Sequence, residues 1–263
     1  MSDSSELKSQ YATSKTLNTR RGLYDTNIGV SLTDRLAQEL QLDSAESFLD
    51  VGCGYGADIA KFTQLYPKLQ ATGFDPSEAQ INDARSKTPG AKFLLGDLET
   101  IDLSDQFDRV LVRHVLHLTS DPVQALNRIL TWVKPGGRVV FAIHSSKSQP
   151  KFAAWRKWFE DQTGISYSAP SDKLTLEKNR DLFEKPGYQT TFIEAVETIS
   201  LTDAEPYLNY IKSQKRWSRE PTPEELNDLY EHVRKSIDTE IKTRGTFEDL
   251  SINGIVVMES RPA

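Results

Sequence analysis

A glycine-rich turn lies in the N-terminal third of the 263-residue sequence. The segment reads Phe48-Leu49-Asp50-Val51-Gly52-Cys53-Gly54-Tyr55-Gly56-Ala57, an apolar run followed by a turn and the start of a helix. Because glycine has no Cβ, such a turn lets a ligand lie directly against the backbone. The spacing of Gly52, Gly54 and Ala57 also fits the dinucleotide motif G-x-G-x-x-A, so the turn alone does not distinguish between cofactors.

Three acidic residues lie at or near the ends of three successive apolar runs. Asp75 ends the second run, where a carboxylate can accept both hydroxyls of a ribose, whether in NAD or in another nucleoside cofactor. Asp50 precedes the glycine turn, where it suits a cofactor with an ammonium group and would repel a pyrophosphate. Asp97 follows the third run and precedes Leu98, a pairing that fits an adenine amino group and ring face. The three acids together favour a nucleoside cofactor that carries positive charge.

Three of the four histidines follow two later apolar runs. His114 and His117 come directly after the fourth run, and His144 ends the fifth. A histidine that titrates near neutral pH can remove a proton from a reacting group. We therefore take His117 and His114 as candidate catalytic bases. The alternative for each is a hydrogen-bonded structural histidine.

The elements that must position these residues alternate between strands and helices. Apolar runs predict seven buried strands, at 48–51, 71–74, 93–95, 110–112, 139–143, 189–197 and 254–259. Helix starts are marked by Ser31 with Asp34, Ser77 with Gln80, Asp121 before Pro122, Thr202 with Glu205, and Thr222 with Glu225. Strands alternating with helices imply a parallel sheet with right-handed crossovers.

These motifs together resemble those of class I methyltransferases that use S-adenosylmethionine (SAM). The likeness is strongest to the small-molecule branch, which includes quinone-biosynthesis enzymes and related bacterial enzymes. Phe107-Asp108 and Lys134-Pro135-Gly136-Gly137 match later motifs of that family. The resemblance implies a set of residues that bind SAM: Asp50, Gly52 and Gly54 at its methionine part, Asp75 at its ribose, Asp97 and Leu98 at its adenine, and Arg113 nearby.

The resemblance also implies a fold. We expect an α/β, doubly wound, Rossmann-like sheet of seven strands whose last strand runs antiparallel between the fifth and the sixth. One domain should span residues 1–263, with a SAM-binding core at 43–145. Segments 1–42 and 202–245 are expected to be helical lids, the second an insertion before the last strand. Tyr24, Tyr207 and Trp217 should line the acceptor pocket together with His144.

The function implied is transfer of a methyl group from SAM to an oxygen, nitrogen or carbon atom of a small-molecule acceptor. One alternative is a SAM-binding protein of this fold with a non-methylating or regulatory role. Another is a protein or RNA methyltransferase. An NAD-dependent oxidoreductase is disfavoured by Asp50 and by the final strand.

The composition narrows the class of protein further. The net charge of -6 argues against nucleic acid as a principal partner. The one cysteine, Cys53, excludes an internal disulfide and a thiolate metal cluster, and we expect no metal. No apolar run approaches the roughly 20 residues that span a bilayer, and no secretory signal pattern is present. We therefore expect a cytoplasmic protein without a membrane partner, either a monomer or a homodimer.

Overall fold

The computed structural model describes residues 22–213 and 217–262. Its centre is an eight-stranded sheet. The strands are β1 (Asn27–Ile28), β2 (Ser47–Val51), β3 (Gln70–Asp75), β4 (Lys92–Leu95), β5 (Phe107–Arg113), β6 (Val133–His144), β7 (Tyr188–Leu201) and β8 (Phe247–Ser260). The α-helices are α1 (Leu32–Leu40), α2 (Ala57–Leu65), α3 (Glu78–Lys87), α4 (Pro122–Thr131), α5 (Pro150–Thr163), α6 (Glu205–Lys212) and α7 (Pro223–Arg244).

The strand order is β1-β7-β8-β6-β5-β2-β3-β4. Strands β2 to β6 are mutually parallel, and β8 runs antiparallel to both of its neighbours, β6 and β7. All seven predicted strands form, and the last one lies where it was expected, so the predicted fold class is confirmed. The structure adds β1, a two-residue strand that pairs with the outer edge of β7. Two residues are too few to leave an alternating apolar pattern in the sequence.

The helix starts follow the capping residues at most of the predicted positions. The Ser31 hydroxyl accepts the Asp34 backbone N–H at 3.1 Å, and Thr222 and Glu225 form a reciprocal capping box. The predicted box of Thr202 with Glu205 is wrong. Helix α6 begins at Glu205 without a side-chain cap, and the Asp203 carboxylate instead accepts the Glu205 N–H at 2.9 Å.

The helices form two layers against the sheet, and three apolar clusters fill the space between them. The first cluster lies under α4, and the second lies under α1, α2 and α3 on the opposite face. The third cluster joins α5, α6 and α7 to the far ends of β7 and β8. No helix in the described part of the chain is long and apolar enough to cross a membrane.

Strands β7 and β8 continue past the end of β6. Their pairing runs from Tyr188 with Ser260 to Leu201 with Phe247, whereas β6 stops at His144, opposite Asn253. Residues 196–201 and 247–252 therefore form a two-stranded extension beyond the carboxyl end of β6. We call this pair of segments the β7–β8 extension.

Candidate active site

The glycine turn after β2 has left-handed backbone angles that only glycine adopts without strain. The φ angles are +69° at Gly52, +55° at Gly54 and +75° at Gly56. A Cβ at Gly52 would lie 2.5 Å from the Cγ2 atom of Val115, which belongs to the segment after β5. The turn is thus packed against that segment, and both line the carboxyl edge of the sheet.

Asp75 fixes the turn from the end of β3. One carboxylate oxygen accepts the Gly54 N–H at 3.0 Å, and the other accepts the Ser77 N–H at 2.9 Å. Burial raises the pKa of this carboxyl, while the two backbone N–H groups act in the opposite direction. Each carboxylate oxygen has a second lone pair, so Asp75 can still accept ligand hydroxyls while it holds the turn.

Asp50 lies beneath the turn as a buried carboxyl without a donor. It is 2% exposed, and it accepts no hydrogen bond from the residues in 22–213 and 217–262. Burial raises its pKa well above the ordinary value, and the charges of Asp58 and Asp75 raise it further, against the opposing effect of Arg113. The raised pKa favours the neutral, protonated form of Asp50, and a cation bound nearby would favour the charged form instead.

Arg113 at the end of β5 is engaged by a residue that was not predicted. Its Nη1 atom donates to both carboxylate oxygens of Asp58, at 2.8 and 3.0 Å, and to the Thr33 hydroxyl at 3.0 Å. Asp58 lies in the first turn of α2, where the positive end of the helix dipole stabilises its negative charge. The signal in the sequence was the acid four residues after Gly54.

The two predicted residues after β4, Asp97 and Leu98, lie in different environments. Asp97 is partly exposed at the carboxyl edge of the sheet, and its carboxylate accepts the Glu99 N–H at 3.0 Å. Leu98 is 5% exposed and packs in the first apolar cluster with Val51 and Phe74. The side chain of Leu98 therefore faces the core, whereas Asp97 stays at the same edge as Asp50 and Asp75.

The three predicted histidines are in contact with one another. The ring centroids of His114 and His144 are 4.5 Å apart, and those of His117 and His144 are 5.3 Å apart. His114 has a left-handed backbone, with φ at +56°, which is uncommon outside glycine, asparagine and aspartate. Its Nδ1 atom is buried and has no hydrogen-bond partner in the described structure.

Burial keeps these histidines neutral. It lowers the pKa of His117 to about 3 and that of His144 to about 4. The pKa of His114 is also held well below its ordinary value, first by burial and then by His144, Arg113 and His117. The negative charge of Asp172 opposes the shift at His144. The site therefore offers neutral imidazoles with weak basicity, rather than a base that titrates near neutral pH.

The predicted aromatic lining is only partly at the surface. Tyr24 is 37% exposed and meets Tyr210 edge to face, with centroids 6.0 Å apart. Tyr207 is fully buried, and its hydroxyl donates to Asp249 at 2.7 Å, so it belongs to the third apolar cluster. Trp217 is partly buried and packs against Phe159 and Tyr167. Of the three predicted pocket aromatics, Tyr24 has the most exposed ring.

Within residues 22–213 and 217–262, no three histidine, cysteine, aspartate or glutamate side chains are arranged to hold an ion. Cys53 is buried in the turn, and burial raises the pKa of its thiol above the ordinary range, which makes it unreactive.

Comparison with known proteins identifies the part of the chain that carries the acids and glycines. Residues 49–141 match the methyltransferase domain family. This matched segment runs from β2 into β6 and holds Asp50, Asp75, Asp97 and the glycine turn. Over 121 residues the chain is 31% identical to trans-aconitate 2-methyltransferase of Variovorax paradoxus, a match that covers 44% of this chain and 47% of the relative. The chain spans about half the length, or less, of the first curated relatives that it matches.

Solved structures share the fold over a longer stretch. The YcgJ protein from Bacillus subtilis is similar with a TM-score of 0.58 and 16% identity, over 88% of this chain and 98% of that one. The plantazolicin methyltransferase BpumL, solved with SAH and a pentazolic desmethylPZN analog, has a TM-score of 0.53 and 15% identity, over 98% of each chain. At this identity the similarity establishes the fold, and it extends beyond the matched domain.

Proposed function

We propose that the protein is a SAM-dependent methyltransferase that transfers a methyl group to an oxygen, nitrogen or carbon atom of a small molecule. The observation that carries the proposal is Asp50. A buried carboxyl without a donor, close to Asp58 and Asp75, opposes folding and is retained where a ligand uses it. A cationic ligand suits this position, and SAM carries both an ammonium and a sulfonium group.

The residues present fit that cofactor. Asp50 would pair with its ammonium group, Gly52 and Gly54 would let it approach the backbone, Asp75 would accept its ribose hydroxyls, and Asp97 would accept its adenine amino group. When bound, SAM supplies a methyl group attached to a good leaving group, and the acceptor displaces that leaving group directly. Arg113 would act through Asp58, whose position it fixes, rather than by direct contact.

The charge state of the three histidines determines which kind of acceptor suits the site. His114, His117 and His144 are neutral, so they do not repel a sulfonium, and each can exchange a hydrogen bond with an acceptor atom. Their low basicity favours an acceptor whose reacting atom needs little or no deprotonation. Positioning then supplies most of the rate, on the order of 7–11 kcal/mol for well-aligned reactants.

Two similarities support a small-molecule acceptor. The relative from Variovorax is named for trans-aconitate, and BpumL is named for plantazolicin. We propose that residues 22–42, 202–213 and 217–245 cover the acceptor as lids. Residues 1–21 and 214–216 of the two predicted lid segments lie outside the described structure. We also propose a cytoplasmic monomer or homodimer without a nucleic-acid partner, in line with the net charge of -6.

Titration calorimetry with SAM and with NAD tests the cofactor. We expect SAM to bind, NAD not to bind, and Asp75→Ala to weaken SAM binding by about 10- to 100-fold, since a charge-assisted acceptor contributes roughly 1.5–3 kcal/mol. Asp105→Ala is a matched control, because Asp105 is exposed and its nearest cation is Lys92 at 3.9 Å. Binding of NAD instead of SAM would overturn the assignment.

Transfer of labelled methyl from SAM into a metabolite extract tests the activity. A labelled small molecule is the expected product. A chain that binds SAM tightly but labels nothing would favour the regulatory alternative, and label on protein or RNA would favour the macromolecular one.

A further inference from the structure

One face of the β7–β8 extension carries a row of polar side chains. In antiparallel pairing, partner residues lie on the same face of a sheet, and every second residue returns to that face. The register pairs His144 with Asn253, Glu197 with Ser251, and Ile199 with Asn27. His144, Asn253, Ser251, Glu197 and Asn27 therefore share one face, which we call the polar face.

Two of these residues are buried, and Asn27, His144 and Asn253 are partly buried. Glu197 is 9% exposed and Ser251 is 2% exposed. The Oδ1 atom of Asn27 is also buried. Polar groups in such positions normally have hydrogen-bond partners.

The partners are missing. Within residues 22–213 and 217–262, no hydrogen bond or ion pair is formed by the side chains of Glu197, Ser251 or Asn253, and Asn27 Oδ1 has none. Asp249, two residues before Ser251, contrasts with them, since it accepts the Tyr207 hydroxyl and three backbone N–H groups. Asp249 is thus a structural acid, whereas Glu197 has no structural task.

The polar face lies in the gap between two apolar clusters. Ala195 belongs to the second cluster, beneath α1, and Ile199 belongs to the third, beneath α5, α6 and α7. Glu197 is the residue between them on the same face of β7. The strand register puts Glu197 on the same face as His144, which ends β6 at the edge where the cofactor residues meet.

We propose, building on the function proposed above, that Glu197 selects acceptors that present an amino or hydroxyl group to the polar face. A carboxylate is an acceptor of hydrogen bonds only, so it pairs with an ammonium or a hydroxyl and repels another carboxylate. Asn27, Ser251 and Asn253 supply neutral partners around it. Glu197 binds the acceptor away from the reacting atom and acts as a specificity residue.

The test uses the full chain with isotope-labelled SAM and a metabolite extract separated by ion exchange into cationic, neutral and anionic fractions, with trans-aconitate as a defined anionic probe. We expect label in the cationic or neutral fraction. Glu197→Gln should raise the KM for the labelled acceptor by about tenfold or more with kcat nearly unchanged, because the interaction exists before and during transfer.

Glu194→Gln is the matched control. Glu194 lies three residues away on the same strand but on the opposite face, where it pairs with exposed Lys147. This control should keep wild-type KM, and both variants should keep wild-type SAM affinity, which reports folding. Label confined to the anionic fraction or to trans-aconitate, or equal KM in Glu197→Gln and wild type, overturns the inference and leaves the methyltransferase proposal intact. Wild-type chain that transfers no methyl to any fraction overturns that proposal instead.

Discussion

Replacing His117 with asparagine should flatten the dependence of stability on pH in the acid range. His117 is 7% exposed, and burial lowers its pKa to about 3, against about 6.5 in an unfolded chain. Between these values the unfolded chain binds a proton that the folded chain does not. The free energy of unfolding contributed by His117 is therefore complete above about pH 6.5 and is lost as the pH falls toward 3.

The size of the effect follows from the pKa difference. The loss approaches about 1.36 kcal/mol per pH unit once the unfolded histidine is fully protonated, so the wild type should lose roughly 2–2.5 kcal/mol through His117 between pH 6.5 and pH 4.5. The variant lacks this loss. Asp50 and Asp75, whose raised pKa values act with the opposite sign, are present in both proteins and cancel in the comparison.

Urea unfolding at pH 4.5, 5.5 and 7.0, followed by tryptophan fluorescence, measures the difference directly. His232→Asn is the control, because His232 is less buried and stacks on Trp158 with centroids 3.8 Å apart. It should change the pH slope less than His117→Asn does. Parallel curves for wild type and His117→Asn would show that His117 titrates alike in the folded and unfolded chain, and the reasoning would be refuted.

Three further predictions follow from the glycine turn and the lid helices. Asp50→Asn should weaken SAM binding by about tenfold or more yet leave the melting temperature equal or higher, since it removes a buried carboxyl without a donor; a lower melting temperature with intact affinity would contradict this. Gly52→Ala should destabilise the fold by about 1–3 kcal/mol in chemical unfolding, and Val115→Ala in the same chain should restore part of the loss; no recovery would exclude the predicted clash. Hydrogen exchange in residues 202–245 should slow when SAM and acceptor bind, and equal protection with and without ligands would make the segment purely structural.

Local patterns in the sequence were sufficient for the sheet and the cofactor edge. The order of strands and helices followed from apolar periodicity, and Ser31 and Thr222 marked their helix starts through capping chemistry. Gly52 and Gly54 predicted a turn, and the left-handed backbone angles found at both positions require glycine. All of these signals act over a few neighbouring residues, which is why a single sequence reveals them.

Contacts between distant segments were not predictable in the same way. Arg113 pairs with Asp58 across 55 residues, and nothing local to either residue specifies the other. Tyr207 was expected in a pocket, yet its hydroxyl is bound to Asp249, 42 residues away, in a filled core. Glu197 looks like an ordinary outward polar residue of an alternating strand, and only the register of β7 with β8 places it on a buried face.

Acidic and neutral side chains occupy different parts of the carboxyl edge of the sheet. Buried acids lie at the ends of β2 and β3, where Asp50 and Asp75 create a region that attracts a cation. Neutral imidazoles lie at the ends of β5 and β6, where His117 and His144 would oppose a cation if they were protonated. The burial that makes these histidines poor bases therefore also preserves the attraction of the acids for a positively charged cofactor. A site organised in this way gives up general-base strength in exchange for cofactor binding, and it fits acceptors whose reacting atom is already nucleophilic.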